Sequence, residues 1–337
     1  MSGLSSTQLS AWSTAIDAAR ERIRGMVVRT VVSESVQLSR RAGVPVMFKG
    51  EFVQPSGSFK QRGAANMMLS ALARGPVAGF VTFSTGNHAR AVVWVAARLG
   101  VRATVCVSRR VPEDKVAVLR GLGGEVVIEG DSQDEAGEVA HRLAEERGLL
   151  LVHPFDDPDV IAGQGTIGAE LVEDVADLDA VVVPLSGGGL ISGIALAVKA
   201  ARPGVRIIAV SPTRGAAMIA ALRAGEPVDV PEVDTLADSL LGGIGLDNAY
   251  TFALVREHVD ELVQVDEEAI ARGIAAALKW ERFVLEGAAA VGIGAILGGL
   301  SLSGPTAVVL TGRQIGLDRL LAVTEAHRQW LLERESP

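Results

Sequence analysis

The chain has 337 residues, a net charge of −8 and one cysteine, and these values exclude several classes of protein. Apolar residues make up 48% of the chain and charged residues 21%, with 38 glycines, which excludes disordered, fibrous and coiled-coil proteins. A chain of this length predicts one large or two smaller globular domains. Acidic residues outnumber basic ones by 40 to 32 without a basic run, so we expect no nucleic-acid partner.

The N-terminal residues and the single cysteine predict a cytoplasmic protein. The first residues, MSGLSSTQLSAW, do not show a basic segment followed by an apolar one. The longest weakly polar run, residues 287–300, is shorter than the roughly 20 residues that cross a bilayer, so we expect no membrane partner. Cys106 lies in the apolar run ATVCV and is interpreted as a buried thiol.

Short β-branched runs, each followed by a segment of helical period, predict an α/β fold with parallel sheets. The runs are VPVMF, VAGFVTF, RATVCV, EVVI, LLLV, DAVVVP, VRIIAV and TAVVL. Neither a repeat nor a low-complexity linker divides the chain, so we expect an inserted small domain at residues 81–152 within a large domain of residues 1–80 and 153–337. Ligands in such folds bind beyond the carboxyl ends of strands, which directs attention to the loops there.

The first such loop, PSGSFKQRGA, contains a candidate nucleophile. Ser58 is predicted to cap a helix whose first turn carries Lys60. Small residues around this turn, together with Phe59, favour close packing, and a desolvated lysine loses its charge and becomes a nucleophilic amine. The alternative is an ordinary solvated lysine at a helix start.

The second loop, FSTGNHAR at residues 83–90, follows a strand and opens a helix. Hydroxyl, amide and backbone N–H groups at a helix N-terminus form a site for a carboxylate. Ser84 or Thr85 alone is equally explained as an ordinary helix cap. Asn87 supplies the amide, while His88 fits a packed helix residue and is given no catalytic role.

The third loop consists of Ser186, Gly187, Gly188 and Gly189, followed by Leu190, between a strand and a helix. Successive residues without Cβ allow backbone N–H groups to converge on one anion at the helix N-terminus. The loop matches neither a Walker sequence nor GxGxxG, so a phosphate site and a tight turn both remain open.

The fourth loop, TAVVLTGRQIG, places Thr311 at the end of the last predicted strand, where a threonine is usually structural. The sequence contains no CxxC, HxxxH or HExxH spacing, so we expect no metal site. A GxSxG elbow is also missing, which argues against a serine hydrolase.

The motifs SGSFKQRGA, STGNHA, SGGGL and the late TG, in this order, resemble the threonine dehydratase family of fold type II pyridoxal 5′-phosphate (PLP) enzymes over nearly the whole chain. The resemblance implies a tryptophan synthase β-like fold, with two parallel-sheet-based α/β domains and the cofactor between them. It also implies a small amino acid substrate and a homodimer or higher homo-oligomer.

The resemblance further implies roles for individual residues. Lys60 would hold the cofactor covalently and remove the α-proton of the substrate, and Thr311 would meet the ring nitrogen. The other cofactor-binding residues would be Phe59 and Asn87 at the pyridine ring and its 3′-oxygen, and Ser186, Gly187, Gly188, Gly189 and Leu190 at the phosphate. The residues that receive the substrate carboxylate would be Ser84, Thr85, Asn87 and His88.

The implied reaction is α,β-elimination of water from a β-hydroxy amino acid, which gives an oxo acid and ammonia. The segments LADSLLGGIGLDNAYTF and VLEGAAAVGIGAIL are similar to the hydroxyectoine-utilization branch, so the candidate substrates are threonine, serine and a hydroxyectoine-derived amino acid. One alternative is an amino acid racemase, which is disfavoured because serine racemase has a serine where this chain has Thr85. Another is a non-catalytic PLP or amino-acid sensor, against which the intact Lys60 argues.

The divalent-cation site of the racemase-like relatives is expected to be absent or altered. In those relatives, two carboxylates six residues apart follow a strand and supply hard oxygen ligands. Ser211 and Ala217 stand at the matching positions of VSPTRGAAM in this chain.

Overall fold

The computed structural model describes residues 6–333, which contain ten β-strands in two sheets. In chain order the strands are β1 (Val32–Glu34), β2 (Val46–Gly50), β3 (Phe80–Phe83), β4 (Ala103–Val107), β5 (Glu125–Ile128), β6 (Leu150–Leu151), β7 (Ala180–Pro184), β8 (Arg206–Pro212), β9 (Glu261–Val265) and β10 (Thr306–Leu310).

The described residues also contain fourteen α-helices. They are α1 (Ser6–Arg22), α2 (Val36–Ala42), α3 (Lys60–Arg74), α4 (Asn87–Leu99), α5 (Glu113–Gly121), α6 (Gln133–Arg147), α7 (Pro158–Asp174), α8 (Gly189–Ala201), α9 (Ala217–Ala224), α10 (Thr251–His258), α11 (Glu267–Ala276), α12 (Gly287–Leu297), α13 (Leu317–Ala326) and α14 (Arg328–Leu332).

The larger sheet has the strand order β1-β2-β10-β7-β8-β9 and is parallel except between β1 and β2. The smaller sheet has the order β5-β4-β3-β6 and is parallel throughout. Every residue of the central strands β7 and β10 is buried, which explains their unbroken runs of apolar residues. The predicted α/β fold with parallel sheets is therefore confirmed.

The smaller sheet is formed by one continuous stretch of the chain. Its strands lie between Phe80 and Leu151, with α4, α5 and α6 as the connections between them. The strands of the larger sheet come from before and after this stretch. The division into domains at residues 81–152 remains a prediction, and these strand positions are compatible with it.

Helices α3 and α7 approach each other closely through two glycines. A Cβ on Gly163 would lie 2.7 Å from both the carbonyl oxygen of Arg62 and the Cα of Gly63. Because these are backbone atoms, no larger residue fits at Gly163 without moving one helix. The first turn of α3 is thereby fixed against α7.

A buried cluster of charged side chains joins the same two helices to the larger sheet. The Arg62 guanidinium binds Glu51 through Nε and Nη2 at 2.9 and 2.8 Å, and Glu170 through Nη1 and Nη2 at 2.7 and 2.9 Å. Lys49 Nζ lies 2.7 Å from Glu170 Oε2. None of these four residues is more than 4% exposed, so each charge depends on its partners for stabilisation. Arg62 is two residues beyond Lys60, and the cluster therefore lies directly behind the candidate site.

Two other features bear on the sequence predictions. No helix between residues 6 and 333 is both long enough and apolar enough to cross a membrane. Cys106 is a buried free thiol in β4, as predicted, and burial raises the pKa of this thiol to about 11.

Candidate active site

The turn before α3 brings together Phe59, Lys60 and the end of β10. Phe59 has helical backbone angles and occupies the cap position of α3, so the prediction that Ser58 caps this helix is wrong. The backbone N–H of Phe59 donates to the carbonyl of Thr311 at 3.0 Å, and Ser58 pairs with Gly312 in a single β-bridge. Ser58 is held in this bridge, and its buried hydroxyl makes no hydrogen bond to the helix end within the described residues.

Lys60 is the first residue of α3, and its amine is partly desolvated. Nζ donates to the carbonyl of Pro154 at 2.6 Å and lies 5.2 Å from the centre of the Phe59 ring. Burial lowers the pKa of Lys60 to about 8, although the nearby Glu286 opposes this shift. An amine with this pKa is available as a nucleophile near neutral pH, which favours the nucleophile interpretation over that of a solvated lysine.

The start of α4 carries the predicted carboxylate site. Gly86 caps the helix, and its N–H donates to the Ser84 hydroxyl at 3.3 Å. Ser84 and Thr85 are half-buried, and among the described residues no hydrogen bond joins either side chain to Lys60 or Asn87. The role of these two hydroxyls in carboxylate binding remains a prediction.

His88 is a buried, neutral residue of α4. Its Nε2 lies 2.9 Å from the carbonyl of Val152, an arrangement in which the ring donates. Burial, with Lys60 nearby, lowers the pKa of His88 to about 3, so the imidazole stays neutral across the physiological range. The structure thus favours the interpretation as a packed helix residue, without a catalytic role.

Glu286 is a site residue that the sequence analysis did not single out. Its carboxylate accepts hydrogen bonds from the Asn87 amide at 2.8 and 2.9 Å and from the backbone N–H of Gln314 at 3.0 Å. Glu286 is 2% exposed, and burial raises its pKa to about 7 even though these donors oppose the shift. The sequence signal that could have identified Glu286 is its position as a lone carboxylate directly before the weakly polar run of α12.

The glycine loop lies at the N-terminus of α8 and packs against Phe155. Gly188 caps the helix with a φ of +89°, a conformation that favours glycine. A Cβ on Gly189 would lie 2.6 Å from the carbonyl oxygen of Phe155, and a Cβ on Gly187 would overlap the Phe155 ring. Leu190 is buried in the first turn of α8 and Ser186 is half-buried. The loop therefore presents backbone N–H groups at a helix N-terminus, as a phosphate site requires.

The buried polar atoms without a hydrogen-bond partner among the described residues include four from the candidate loops: Thr311 Oγ1, Asn87 Oδ1, His88 Nδ1 and Ser58 Oγ. Buried polar atoms are almost always paired, so such a concentration fits a polar group bound between them. Together with the Lys60 amine and the glycine loop, these atoms fit PLP. When bound, PLP acts as an electron sink for a carbanion at the substrate α-carbon.

Two positions of this chain match the cation ligands of the racemase-like relatives, and neither carries a carboxylate. Ser211 lies in β8, and Ala217 is the first residue of α9. Among the side chains that the structure describes, no three from His, Cys, Asp or Glu are grouped so that they could hold a metal ion.

Comparison with known proteins places the chain in a family. Residues 23–312 match the family model of pyridoxal-phosphate dependent enzymes, and the chain belongs to this family. It is 42% identical to an L-threonine ammonia-lyase of Geobacter sulfurreducens, over 93% of this chain and 78% of that protein. It is 35% identical to a serine racemase of Arabidopsis thaliana, over 90% of this chain and 93% of that protein.

A solved structure shows the same fold. The processed form of threonine deaminase isoform 2 from Solanum lycopersicum superimposes with a TM-score of 0.89 at 35% identity, covering 96% of this chain and 94% of that one. The predicted fold type II PLP architecture, the PLP cofactor and the class of PLP-dependent lyase are therefore confirmed. The assignment to the hydroxyectoine-utilization branch stays a prediction.

Proposed function

We propose that this protein is a threonine dehydratase, which eliminates water from L-threonine to give a 2-oxo acid and ammonia. The observation that carries the proposal is the partly buried Lys60 amine, with a pKa of about 8. Its chain neighbour Phe59 hydrogen-bonds Thr311, and its partner Pro154 precedes Phe155, which packs on the glycine loop. The names and similarity of the Geobacter and Solanum proteins support the same reaction.

Each residue contributes a separate part of the reaction. Lys60 would hold the cofactor, and its free amine would remove the α-proton of the substrate. The glycine loop would bind the phosphate through backbone N–H groups. The Thr311 hydroxyl would hydrogen-bond the ring nitrogen without protonating it as a carboxylate would, and a neutral ring nitrogen favours elimination over transamination. Ser84, Thr85 and the N-terminus of α4 receive the substrate carboxylate.

The test combines an ammonia-release assay with the visible absorbance of the cofactor. Wild-type protein should release ammonia and oxo acid from L-threonine in equal amounts. Lys60→Ala should lose both the absorbance of the covalently held cofactor and the activity. Lys199→Ala should retain both, because Lys199 lies in the last turn of α8, where it pairs with Asp260. Full activity in Lys60→Ala would refute the proposal.

The choice of substrate is a finer part of the proposal. Elimination requires a primary amine and a hydroxyl on the adjacent carbon, which threonine, serine and a ring-opened hydroxyectoine derivative all possess. The closed ring of hydroxyectoine lacks the primary amine. Comparison of kcat/KM among these compounds measures the preference directly. A higher value for the hydroxyectoine derivative than for threonine would support the branch assignment.

Racemisation is the competing activity on this fold. It needs an acid or base on the face of the substrate opposite Lys60, and the serine that serine racemase uses is replaced by Thr85. We expect chiral analysis to detect little D-threonine or D-serine. We also propose that the chain works as a homodimer or higher homo-oligomer in the cytoplasm, which light scattering and fractionation would test.

A further inference from the structure

Residues 153–156 form a strap between the Lys60 amine and the glycine loop. The carbonyl of Pro154 accepts a hydrogen bond from Lys60 Nζ at 2.6 Å. The next residue, Phe155, packs on the other side of the strap against Gly187 and Gly189, whose absent Cβ atoms leave the space for its ring and backbone. The strap thus contacts both the reactive amine and the predicted phosphate loop through two adjacent residues.

The strap is held in place at both ends. The backbone N–H of Asp156 donates to His153 Nδ1 at 2.7 Å, and the ring of His153 meets that of Phe155 edge-on with centroids 4.8 Å apart. The Asp156 carboxylate accepts hydrogen bonds from the backbone N–H groups of Ala249 and Thr251 at 2.6 and 2.8 Å. Burial lowers the pKa of His153 to about 4, so Nδ1 keeps its lone pair at neutral pH. Phe155 is therefore presented on a fixed backbone.

The strap lies beside the path from the Lys60 amine to the glycine loop, because Pro154 contacts the amine and Phe155 contacts the loop. In the proposed function, on which this step rests, Lys60 would take the α-proton, and the β-hydroxyl would leave as water after protonation from the side of the phosphate that the loop would hold. A β-carbon placed between the amine and the loop would therefore lie next to the strap. Threonine differs from serine at this carbon by one methyl group, and the side chain of the strap nearest the loop is the apolar ring of Phe155.

We propose that Phe155 is the specificity-determining residue of this enzyme: its ring packs against the β-methyl group of threonine and so favours threonine over serine. A methyl group in an apolar contact improves binding about fourfold. An apolar pocket discriminates between substrates that differ by one such group by about tenfold or more. The ring also excludes water from the side of the β-carbon that faces the glycine loop.

The test is the ratio of kcat/KM for L-threonine to kcat/KM for L-serine. Phe155→Ser should lower this ratio about fourfold to tenfold, whereas Phe155→Leu, which keeps an apolar side chain, should change it less than about twofold. Phe52→Ser is the matched control, because Phe52 is also half-buried but pairs with Phe283 away from the strap. A merely structural role of Phe155 would lower both values equally and leave the ratio unchanged, which would overturn the proposal.

A second measurement uses the wild-type protein and does not depend on the folding of a variant. In L-allothreonine the methyl and hydroxyl positions on the β-carbon are exchanged, so its methyl group cannot face Phe155 when the hydroxyl faces the loop. Its kcat/KM should not exceed that of L-serine, and a value equal to that of L-threonine would overturn the proposal. Release of no ammonia from any of these amino acids would refute the proposed function, and this inference with it.

Discussion

Glu286 should make the stability of this protein fall as the pH rises. Its pKa is about 7 in the folded protein, against 4.5 ordinarily, because burial disfavours the charged form. The folded state therefore binds this proton more tightly than the unfolded chain does. The stabilisation is complete below pH 4.5 and is lost as the pH rises through 7. A gap of about 2.5 pKa units corresponds to about 3 kcal/mol.

The measurement is denaturant unfolding of the cofactor-free polypeptide between pH 4 and pH 8. The unfolding free energy of Glu286→Gln minus that of wild type should increase by about 3 kcal/mol over this range, because only the wild type has to ionise a buried carboxyl. Taking the difference removes the contributions of the titrating groups that do not interact with Glu286. The exposed Glu226→Gln serves as the control and should give a flat difference. A flat difference for Glu286→Gln would refute the reasoning.

Three further predictions concern the loops and the buried charges. The rate at which cofactor-free protein incorporates PLP should rise with a midpoint near pH 8, where Lys60 becomes the free amine; a rise that begins only above pH 10 would contradict this. Gly189→Ala should destabilise the protein by about 1–3 kcal/mol and weaken cofactor binding, because the new Cβ would lie 2.6 Å from a backbone oxygen of Phe155. Gly204→Ala, which has no atom within 4 Å of the new Cβ, should show neither effect in the same unfolding and titration experiments. Arg62→Met should lower the unfolding free energy by about 3–5 kcal/mol, because the buried Glu51 loses its ion-pair partner and Glu170 keeps only Lys49 close by; a loss below about 1 kcal/mol would count against this account.

The buried strands were the most predictable part of the fold. Runs such as DAVVVP and TAVVL are continuous and apolar because both faces of β7 and β10 are covered, and this pattern is visible in a single sequence. The strands β1 and β9 were not predicted. Both lie at edges of the larger sheet, one has three residues, and each has exposed or half-buried positions that weaken the apolar signal.

The site was predictable only where a local motif carries the chemistry. Lys60 and the glycine loop each lie in a short segment whose residue types suggest their role. Glu286 could not be recognised in this way, because its partners Asn87 and Gln314 are 199 and 28 residues away in the chain. Its raised pKa arises from burial, which a sequence does not display. The cap of α3 was wrongly assigned to Ser58 because the bridge to Gly312 is likewise a long-range contact.

Burial brings the pKa values of Lys60 and Glu286 close to neutrality from opposite sides. They are about 8 and about 7, whereas the ordinary values are 10.5 and 4.5. Each group has its own hydrogen-bond partners: Lys60 Nζ donates to the carbonyl of Pro154, and Glu286 accepts from Asn87 and from the backbone N–H of Gln314. Both groups therefore change charge within the range of pH in which the protein works. The protein can thus supply an uncharged lysine without an alkaline medium.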